Sequence, residues 1–420
     1  DGEESVLTTE KVLVLEPTSG STSPSKFIPY TESLRREFRK GISPWLFDLY
    51  DNIQELHEGS FYWSITPATH TEEKTSGGIS IGFGDDGSYF TQEQQELISQ
   101  LTAVPFDVAG IQNITDFRNK TLSYLKRDNN LRFISVWNPT FLSLLLRPVD
   151  DPREAFKNLS LISAWTEGNA SHYVSELKDM FPDVQVQGKG LIATEGFVSF
   201  PLIGYEGSAL SVNSHFFEFK ENESGDVRLA HELERDKQYQ VVLTTSGGLY
   251  RYNLEDVVQV TGFKDQCPLL RFVGRSSNIS DLFGEKLNEF HVTSVVDESL
   301  DNQGINPSFS ILAPEESQDQ DYPSYTLFVE TEESDDRLLS SAQSLDEKLQ
   351  ENYHYRYCRK LRQLGPLRVF RISGSDTSKR ASDIYLEESR SRGKKIGNIK
   401  PSFLSSKLDW SKVFEGRFVE

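Results

Sequence analysis

Cysteine is scarce in this chain, whose 420 residues include only Cys267 and Cys358. Two cysteines exclude a disulfide framework, and the seven histidines are scattered rather than spaced as metal ligands. The sequence therefore predicts no metal centre built from cysteine and histidine. Because so few cysteines are typical of a reducing compartment, we expect a cytoplasmic protein.

Long apolar runs are missing as well. No stretch approaches 18 apolar residues, so the sequence predicts no membrane-spanning helix, and no signal peptide is recognisable. Positively charged residues are also few: the chain has 44 Lys and Arg against 64 Asp and Glu, which gives a net charge of −20. An acidic surface repels phosphate backbones and argues against nucleic-acid binding, whereas ATP needs only a local positive pocket and a metal ion.

Three familiar catalytic signatures are absent. The chain has no Gly-Lys-Ser/Thr P-loop, no Gly-x-Ser-x-Gly elbow and no Gly-x-Gly-x-x-Gly. It does contain a stretch rich in Ser, Thr and Gly from Pro17 to Lys26, between two short predicted strands. Small residues let backbone N–H groups approach phosphate oxygens, and hydroxyls and the Lys26 ammonium add donors. A plain surface turn is the alternative interpretation.

Strands and helices alternate between residues 131 and 197. Strands are predicted at Leu131–Val136 and Leu161–Ala164, and an amphipathic helix at Ala170–Phe181. The following strand ends at Thr194-Glu195. This order places both side chains at the carboxyl edge of an α/β sheet, where ligands bind. A helix cap is the alternative role for this pair.

Two helices are predicted upstream of that pair. The first runs from Thr31, a plausible cap, to Tyr50, and Pro44 is expected to interrupt it. The second, Thr140–Leu146, is strongly apolar and is predicted to be buried. Such a helix either forms ordinary core or lines a pocket.

The most informative stretch runs from Val241 to Glu289. A β-branched strand leads into Gly247-Gly248, which is a hairpin signal. Arg251 and Asp256 then stand in a polar interruption of the next strand. A charge in a buried strand needs a partner, so an internal Arg251–Asp256 ion pair is one interpretation, and a binding site is the other.

The composition changes after Arg275. Strands are predicted at Phe309–Leu312, Tyr325–Glu330 and Leu367–Ile372, with a long polar helix between Arg337 and Arg362 that breaks near its middle. These elements indicate a small α+β domain. We therefore predict a large domain at 1–275 and a smaller, mobile domain at 276–420.

Three stretches resemble motifs of the GH3 family, the acyl-acid amido synthetases of the adenylate-forming superfamily. Ser19 to Lys26 is similar to its first motif, Ala193-Thr194-Glu195-Gly196 to its second, and Gly248-Leu249-Tyr250-Arg251-Tyr252 with Asp256-Val257-Val258 to its third. Residues 283–289 resemble the bacterial-type branch, and Ile399-Lys400-Pro401 resembles a C-terminal motif. The chain departs from the family pattern at Pro24, at Glu255, where the family has Gly, and at Ser402, where it has Arg.

The resemblance implies an α/β fold similar to that of adenylate-forming enzymes. The large N-terminal domain would have mixed β-sheets with flanking helices and a β-barrel-like part, and an upstream portion of it would be missing here. The implied activity is ATP-dependent: a carboxylic acid is activated as an acyl-adenylate and conjugated to an amino acid, with ATP and Mg²⁺ as cofactors. The residues implied in binding are Ser19, Ser21, Thr22, Ser23, Lys26, Thr194, Glu195, Tyr250, Asp256 and Arg275, with Glu195 as the metal ligand. The residues implied in catalysis are Lys400, Lys286 and Arg251.

Two other functions stay open from the sequence. One is a ligase of the same superfamily that passes the acyl group to coenzyme A or a carrier thiol. The other is a non-catalytic ATP-binding relative, which the three departures from the family pattern motivate. The acid itself cannot be read from the sequence, because a mostly apolar pocket suits many acids. We expect a monomer that does not bind nucleic acid or membranes.

Overall fold

The structure, a computed structural model, describes most of the chain in two compact units. The described residues are 3, 5–18, 26–64, 73–82, 92–111, 113–137, 139–167, 171–222, 224–276, 279–282, 284–316, 322–373, 380–391 and 402–419. One unit comprises Asp1–Glu167 and Val174–Phe272, and the other comprises Gly168–Tyr173 and Val273–Glu420. Among the described helices, none is both long enough and apolar enough to cross a membrane.

The first unit contains six helices and seventeen strands among its described residues, counting two elements that cross its boundary. The helices are α1 (Glu32–Asn52), α2 (Gln92–Leu101), α3 (Ile114–Arg127), α4 (Pro139–Leu146), α5 (Pro152–Ala155) and α6 (Ser171–Met180). The strands up to residue 197 are β1 (Val14–Pro17), β2 (Phe27–Tyr30), β3 (Ser60–Trp63), β4 (Glu73–Lys74), β5 (Ser80–Ile81), β6 (Leu131–Ser135), β7 (Leu161–Ser163), β8 (Gln185–Gln187), β9 (Ile192–Ala193) and β10 (Gly196–Phe197). The later strands are β11 (Ser199–Pro201), β12 (Ser208–Leu210), β13 (Phe216–Glu221), β14 (Val227–Leu229), β15 (Gln238–Thr244), β16 (Tyr252–Lys264) and β17 (Cys267–Arg275).

A four-stranded parallel sheet, ordered β3-β6-β7-β8, forms one layer of this unit. Side chains alternate between its two faces. Ile134 and Ile162 contribute to a core cluster with α3 and α4, while Phe133 and Leu161 belong to the cluster that includes α1. The sheet is therefore covered by apolar side chains on both of its faces, as is usual for a parallel sheet.

Helix α1 passes through Pro44 without a break, so the predicted interruption is wrong. Thr31 caps it as predicted, since its side chain accepts from the backbone N–H of Leu34 (3.2 Å). A proline inside a helix costs about 3 kcal/mol. The helix buries Phe38, Trp45 and Leu49 along the same face. Each is worth about 1.5–3 kcal/mol of apolar burial, which outweighs the cost of Pro44.

A seven-stranded sheet, ordered β11-β12-β17-β16-β15-β13-β14, carries the stretch around Gly247-Gly248. Strands β15 and β16 pair antiparallel and are joined by that turn, which is the predicted hairpin. Apolar side chains of the inner strands, including Phe219, Val241 and Val258, form a separate core cluster. The hairpin is therefore anchored by buried strands on both of its sides.

The second unit is α+β, as predicted for the C-terminal part. Its helices are α7 (Glu289–Asp301), α8 (Asp335–Leu349), α9 (Tyr353–Lys360) and α10 (Ala381–Ser391), and its strands are β18 (Ile279–Ser280), β19 (Leu287–Asn288), β20 (Phe309–Glu315), β21 (Ser324–Glu330), β22 (Arg368–Ile372) and β23 (Gly416–Phe418). The order β20-β21-β22-β23 gives a sheet in which β21 and β22 are parallel. The predicted long helix is broken between α8 and α9, where Asn352 caps α9 with its side chain.

Candidate functional site

Lys26 lies where the first predicted motif rejoins a strand. The backbone N–H of Thr18 donates to the carbonyl of Lys26 (2.8 Å), and the Lys26 N–H donates to Thr18 Oγ1 (3.3 Å). These bonds close the base of the segment between β1 and β2. Four of the predicted residues lie outside the described part of the chain: Ser19, Ser21, Thr22 and Ser23. The structure therefore shows only that the two ends of this segment, Thr18 and Lys26, are hydrogen-bonded to each other.

Thr194 and Glu195 form the turn of a tight hairpin between β9 and β10. They are therefore not at the carboxyl end of a parallel strand, and the predicted position at that sheet edge is wrong. The strand before them is only two residues long and pairs with its own continuation, which the α/β pattern did not reveal. Glu195 is buried in spite of its charge. A buried carboxylate requires hydrogen bonds or a cation.

Side chains from all three predicted motifs meet at Tyr252. Lys26 Nζ donates to Tyr252 Oη (3.1 Å), and Tyr252 Oη donates to Glu195 Oε1 (3.3 Å). The hydrogen bond to Tyr252 raises the pKa of Lys26, and the charges of Glu255 and Glu195 act in the same direction. Burial raises the pKa of the Tyr252 phenol, which stays neutral and relays the hydrogen bond. We call Lys26, Tyr252 and Glu195 the relay.

A second network holds the Thr194–Glu195 turn from behind. The fully buried Tyr30 donates its hydroxyl to the Thr194 carbonyl (2.6 Å). His215 Nε2 accepts from the Phe197 N–H (2.9 Å), and its Nδ1 lies 3.0 Å from Glu37 Oε2. Since Nε2 accepts, the proton of the neutral ring is on Nδ1 and is donated to Glu37.

Glu37 connects this network to the Gly247-Gly248 turn. Both of its carboxylate oxygens accept from the Ser246 N–H, at 3.2 and 3.1 Å. A Cβ at Gly247 would lie 2.8 Å from Leu34 Cδ2, so the turn packs directly on α1. Gly248 has φ +100°, which only glycine adopts without strain. Helix α1 thus fixes the turn that leads into Tyr252.

Arg251 and Asp256 do not form the pair that the sequence allows. Arg251 Nε instead donates to Glu218 Oε2 of β13 (2.8 Å), and its side chain is 65% exposed. Asp256 is buried on β16, whereas Tyr250 is 75% exposed. A cross-strand partner such as Glu218 depends on the register of the sheet, which the sequence does not reveal.

The predicted residues are divided between the two units. The first unit holds Lys26, Thr194, Glu195, Tyr250, Arg251 and Asp256. Arg275 ends β17 and belongs to the second unit, as does Lys286. Lys286 is exposed at φ +45°, and its carbonyl accepts from Asn352 Nδ2 (3.2 Å). Lys400 lies outside the described residues.

The donor set of the first unit fits Mg²⁺ held largely by a substrate. Among the described residues, no group of three or more His, Cys, Asp or Glu could hold a metal ion alone. Mg²⁺ is usually bound through one or two carboxylates together with phosphate oxygens and water. The buried carboxylate of Glu195 suits that arrangement.

Sequence reasoning missed the residues that support the motifs. Tyr30, Glu37 and His215 stand outside every motif, and their roles depend on contacts between elements distant in sequence. The one local signal was His215 itself, because a histidine directly before the apolar strand β13 must find partners when buried.

Three domain profiles of one family match the chain in order. The GH3 family N-terminal domain matches residues 1–155, the central domain 208–275 and the C-terminal domain 290–409. The chain belongs to the GH3 family. This confirms the resemblance that the three motifs indicate.

Curated GH3 relatives match the chain over part of its length. It is 30% identical over 181 residues to indole-3-acetic acid-amido synthetase GH3.17 of Arabidopsis thaliana, covering 38% of this chain and 29% of that protein. It is 32% identical over 237 residues to jasmonoyl--L-amino acid synthetase GH3.5 of Oryza sativa subsp. japonica, covering 54% of this chain and 39% of that protein. The matched regions thus span less than half the length of either relative.

A solved GH3 structure matches the whole chain. The acyl acid amido synthetase AtGH3.15, solved in complex with 2,4-DB, superposes with a TM-score of 0.82 at 17% identity. The match covers 100% of this chain and 84% of that protein. At this identity the likeness establishes the fold, and it confirms the predicted fold class.

Proposed function

We propose that the protein is an ATP-dependent acyl-acid amido synthetase. The observation that carries the proposal is the relay, in which residues from three separate GH3 motifs form one hydrogen-bonded chain that ends on a buried carboxylate. A hydrogen-bond network that only stabilised the fold would have no reason to take one residue from each of the three motifs. The amido synthetase activities of the GH3 relatives support the same reaction class.

The reaction has two steps. A carboxylate oxygen of the acid bonds to the α-phosphorus of ATP, and pyrophosphate leaves. The nitrogen of an amino acid then bonds to the acyl carbon, AMP leaves with the electron pair of the broken acyl–oxygen bond, and the amine proton passes to solvent. Such chemistry depends on aligning the reactants and on stabilising negative charge that develops on phosphate oxygens.

Lys26 supplies positive charge beside the nucleotide. The hydrogen bond to Tyr252 raises its pKa, so it is an ammonium at neutral pH, and Tyr252 orients it from the start of β16. The exposed end of Lys26 is then available to phosphate oxygens. Thr194 would donate to the α-phosphate from the turn that Tyr30 holds, while Asp256 would accept from ribose hydroxyls.

Glu195 would hold Mg²⁺. The ion, when bound, would neutralise charge on the phosphates. Without the ion, the buried carboxylate of Glu195 and the triphosphate would repel each other. A bound cation therefore gives a chemical reason for a carboxylate at this position. Tyr252 would keep the carboxylate turned toward the nucleotide by its hydrogen bond to Oε1.

The second unit would supply the remaining groups. The division proposed here, 1–275 and 276–420, allows the smaller domain to reorient near residues 275–281 between the two steps. Lys400 and Lys286 would act from this domain, and Arg275 would bind the nucleotide at the hinge. Movement of a domain between half-reactions is a common way to complete a site only when it is needed. We further propose that the protein is a monomer and that it is cytoplasmic, because its two cysteines are both free thiols, as is usual in a reducing compartment.

A panel of carboxylic acids tests the function. Pyrophosphate release is measured for each acid with MgATP, and the final product is identified by mass spectrometry in a mixture of amino acids and coenzyme A. An amide product supports the proposal. A thioester would establish the acyl-CoA ligase, and ATP binding without pyrophosphate release for any acid would establish a non-catalytic relative.

A further inference from the structure

Lys286 is an exposed residue between two fully buried ones. It lies on the loop that joins β18 to β19, two strands that pair over only two residues each. Its neighbours Glu285 and Leu287 are both 0% exposed, whereas the Lys286 side chain is exposed. A hairpin this short has little stability of its own. The position of Lys286 therefore depends on the contacts that hold its neighbours.

The Glu285 carboxylate makes the central contacts of this loop. Its Oε1 accepts from the Leu282 N–H (3.1 Å) and from Tyr325 Oη (2.5 Å). Tyr325 is a fully buried residue of β21, and its Oη also lies 2.5 Å from Ser280 Oγ of β18. Burial raises the pKa of the Tyr325 phenol, and the charge of Glu285 acts in the same direction, so the phenol keeps its proton and donates it. One carboxylate thus ties the loop to the sheet of the second unit.

Helix α9 provides a second anchor for the loop. Asn352, which caps this helix, donates from Nδ2 to the Lys286 carbonyl (3.2 Å). A Cβ at Gly284 would lie 3.7 Å from Cys358 Sγ, so the loop packs on the helix. Lys286 itself has φ +45°, a left-handed conformation that costs a lysine energy and persists only where the surrounding contacts enforce it. The contacts of Glu285 and Asn352 are of that kind.

We propose that Glu285 is a positioning residue, which holds the loop through Tyr325 and the Leu282 N–H so that Lys286 carries its ammonium at a defined position. A charged group on a fixed backbone loses less freedom when it reaches its substrate. Strained residues that the surrounding structure enforces cluster at active sites. The catalytic purpose of Lys286 rests on the proposed function. The fixing of the loop by Glu285 does not depend on it.

Limited digestion with trypsin tests the loop without any substrate. Trypsin cleaves after lysine, and the Lys286–Leu287 bond is protected because Leu287 is buried and the Lys286 carbonyl is hydrogen-bonded. Glu285→Gln keeps the size of the side chain and removes its charge, so we expect cleavage of this bond to rise about tenfold or more. Cleavage after Arg362, at an exposed position of the same unit, should keep its wild-type rate. Equal cleavage of the Lys286–Leu287 bond in the variant and the wild type would overturn the proposal.

Two further variants keep this test decisive. Tyr325→Phe removes one hydroxyl and keeps the ring in the core, so it serves if Glu285→Gln does not fold. It should raise cleavage after Lys286 about threefold or more, because the carboxylate loses one hydrogen bond. Glu347→Gln, at an exposed position of α8, is the matched control and should be cleaved like the wild type. A Tyr325→Phe protein cleaved at the wild-type rate would contradict a role of the carboxylate through Tyr325.

A double-mutant cycle tests whether Glu285 acts through Lys286. Adenylate formation and amide transfer are measured separately in single turnover for Glu285→Gln, Lys286→Ala and the double variant. We expect both single substitutions to slow the same half-reaction, Glu285→Gln by about tenfold, and the double variant to be no slower than Lys286→Ala. A purely structural role would instead multiply the two effects. Multiplied effects, or a Lys286→Ala protein with both half-reactions intact, would overturn the positioning role.

The outcomes separate this inference from the proposed reaction. A wild-type protein that releases no pyrophosphate with any acid would contradict the reaction, and the digestion would still decide whether Glu285 fixes the loop. Amide formation together with multiplied effects in the cycle would leave the ligase standing and remove the positioning role.

Discussion

Glu255 occupies the place where the GH3 pattern has glycine, and its backbone has kept the conformation that favours glycine. Its φ is +63°, in the left-handed region. The residue lies where β16 departs from regular pairing with β15, and its N–H donates to Asn253 Oδ1 (2.9 Å). The backbone at this position thus has a conformation that glycine would also adopt, although the side chain departs from the pattern. It removes one argument for a non-catalytic relative.

Glu255→Gly should therefore stabilise the protein. Left-handed backbone costs a non-glycine residue about 1–2 kcal/mol, and the extra freedom of glycine when unfolded returns about 0.5–1 kcal/mol of that. We expect a gain of up to about 1 kcal/mol in urea unfolding. Glu255→Val should lose stability, because a β-branched residue suits this conformation least. Equal stability of the two variants would show that the backbone relaxes.

Glu167 predicts a pH dependence of stability. Burial raises its pKa from 4.5 to about 7, although Phe272 N–H donates to its carboxylate (2.9 Å) and Arg271 lowers the pKa. The folded protein therefore holds this proton more tightly than the unfolded chain. Its contribution is fully present below pH 4.5 and is lost as the pH rises to about 7.

Urea unfolding at several pH values checks this dependence. The free energy of unfolding should fall by at most about 3 kcal/mol more in the wild type than in Glu167→Gln over that range. Glu154→Gln, at an exposed position, is the control and should follow the wild type. If all three proteins show the same pH dependence, Glu167 does not titrate as described.

At the scale of elements, the hairpin β9–β10 depends on partners from β2, from α1 and from the segment before β13. Two-residue strands have little stability of their own, since a short hairpin is marginal in water. The Thr194–Glu195 turn is held by Tyr30, and the adjoining Phe197 N–H is held by the His215–Glu37 pair. The position of Glu195 is therefore set by side chains outside its own hairpin.

His215→Ala should reduce both stability and activity. It leaves the Phe197 N–H and one side of Glu37 without their partner, which costs about 1–3 kcal/mol. Pyrophosphate release should fall further than ATP affinity, because the turn is misplaced rather than removed. His231→Ala, at an exposed position, is the matched control. Identical unfolding and activity of the two variants would show that His215 does not position the turn.

At the scale of the whole molecule, local patterns predicted most elements and the family, and long-range contacts decided the rest. Periodicity predicted the long helix that breaks between α8 and α9, and the Gly247-Gly248 pair predicted the hairpin. The proline signal failed at Pro44, where burial along α1 outweighs the loss of one hydrogen bond. Among the site residues, the three motifs and their order along the chain predicted that Lys26 and Glu195 belong to one site. It did not reveal Glu218 as the partner of Arg251, because sheet register is a property of the folded chain.

Movement of the smaller domain predicts unequal effects on the two half-reactions. If Lys400 enters the site in only one domain arrangement, Lys400→Ala should slow that half-reaction about tenfold more than the other. Adenylate formation and amide transfer are measured separately in single turnover. Equal effects on both steps, or none on either, would exclude Lys400 as the swinging residue and favour Lys286, which Lys286→Ala tests in the same assay.

The central claim is that the relay ends on a catalytic carboxylate, and pyrophosphate release by Glu195→Gln measures it most directly. The substitution keeps the size of the side chain and removes its charge, so we expect release to fall about a hundredfold or more, the scale of one lost electrostatic contact to a transition state. Glu206→Gln, whose side chain is 84% exposed, should release pyrophosphate at the wild-type rate. A Glu195→Gln protein that melts like the wild type and releases pyrophosphate at the same rate would contradict the claim.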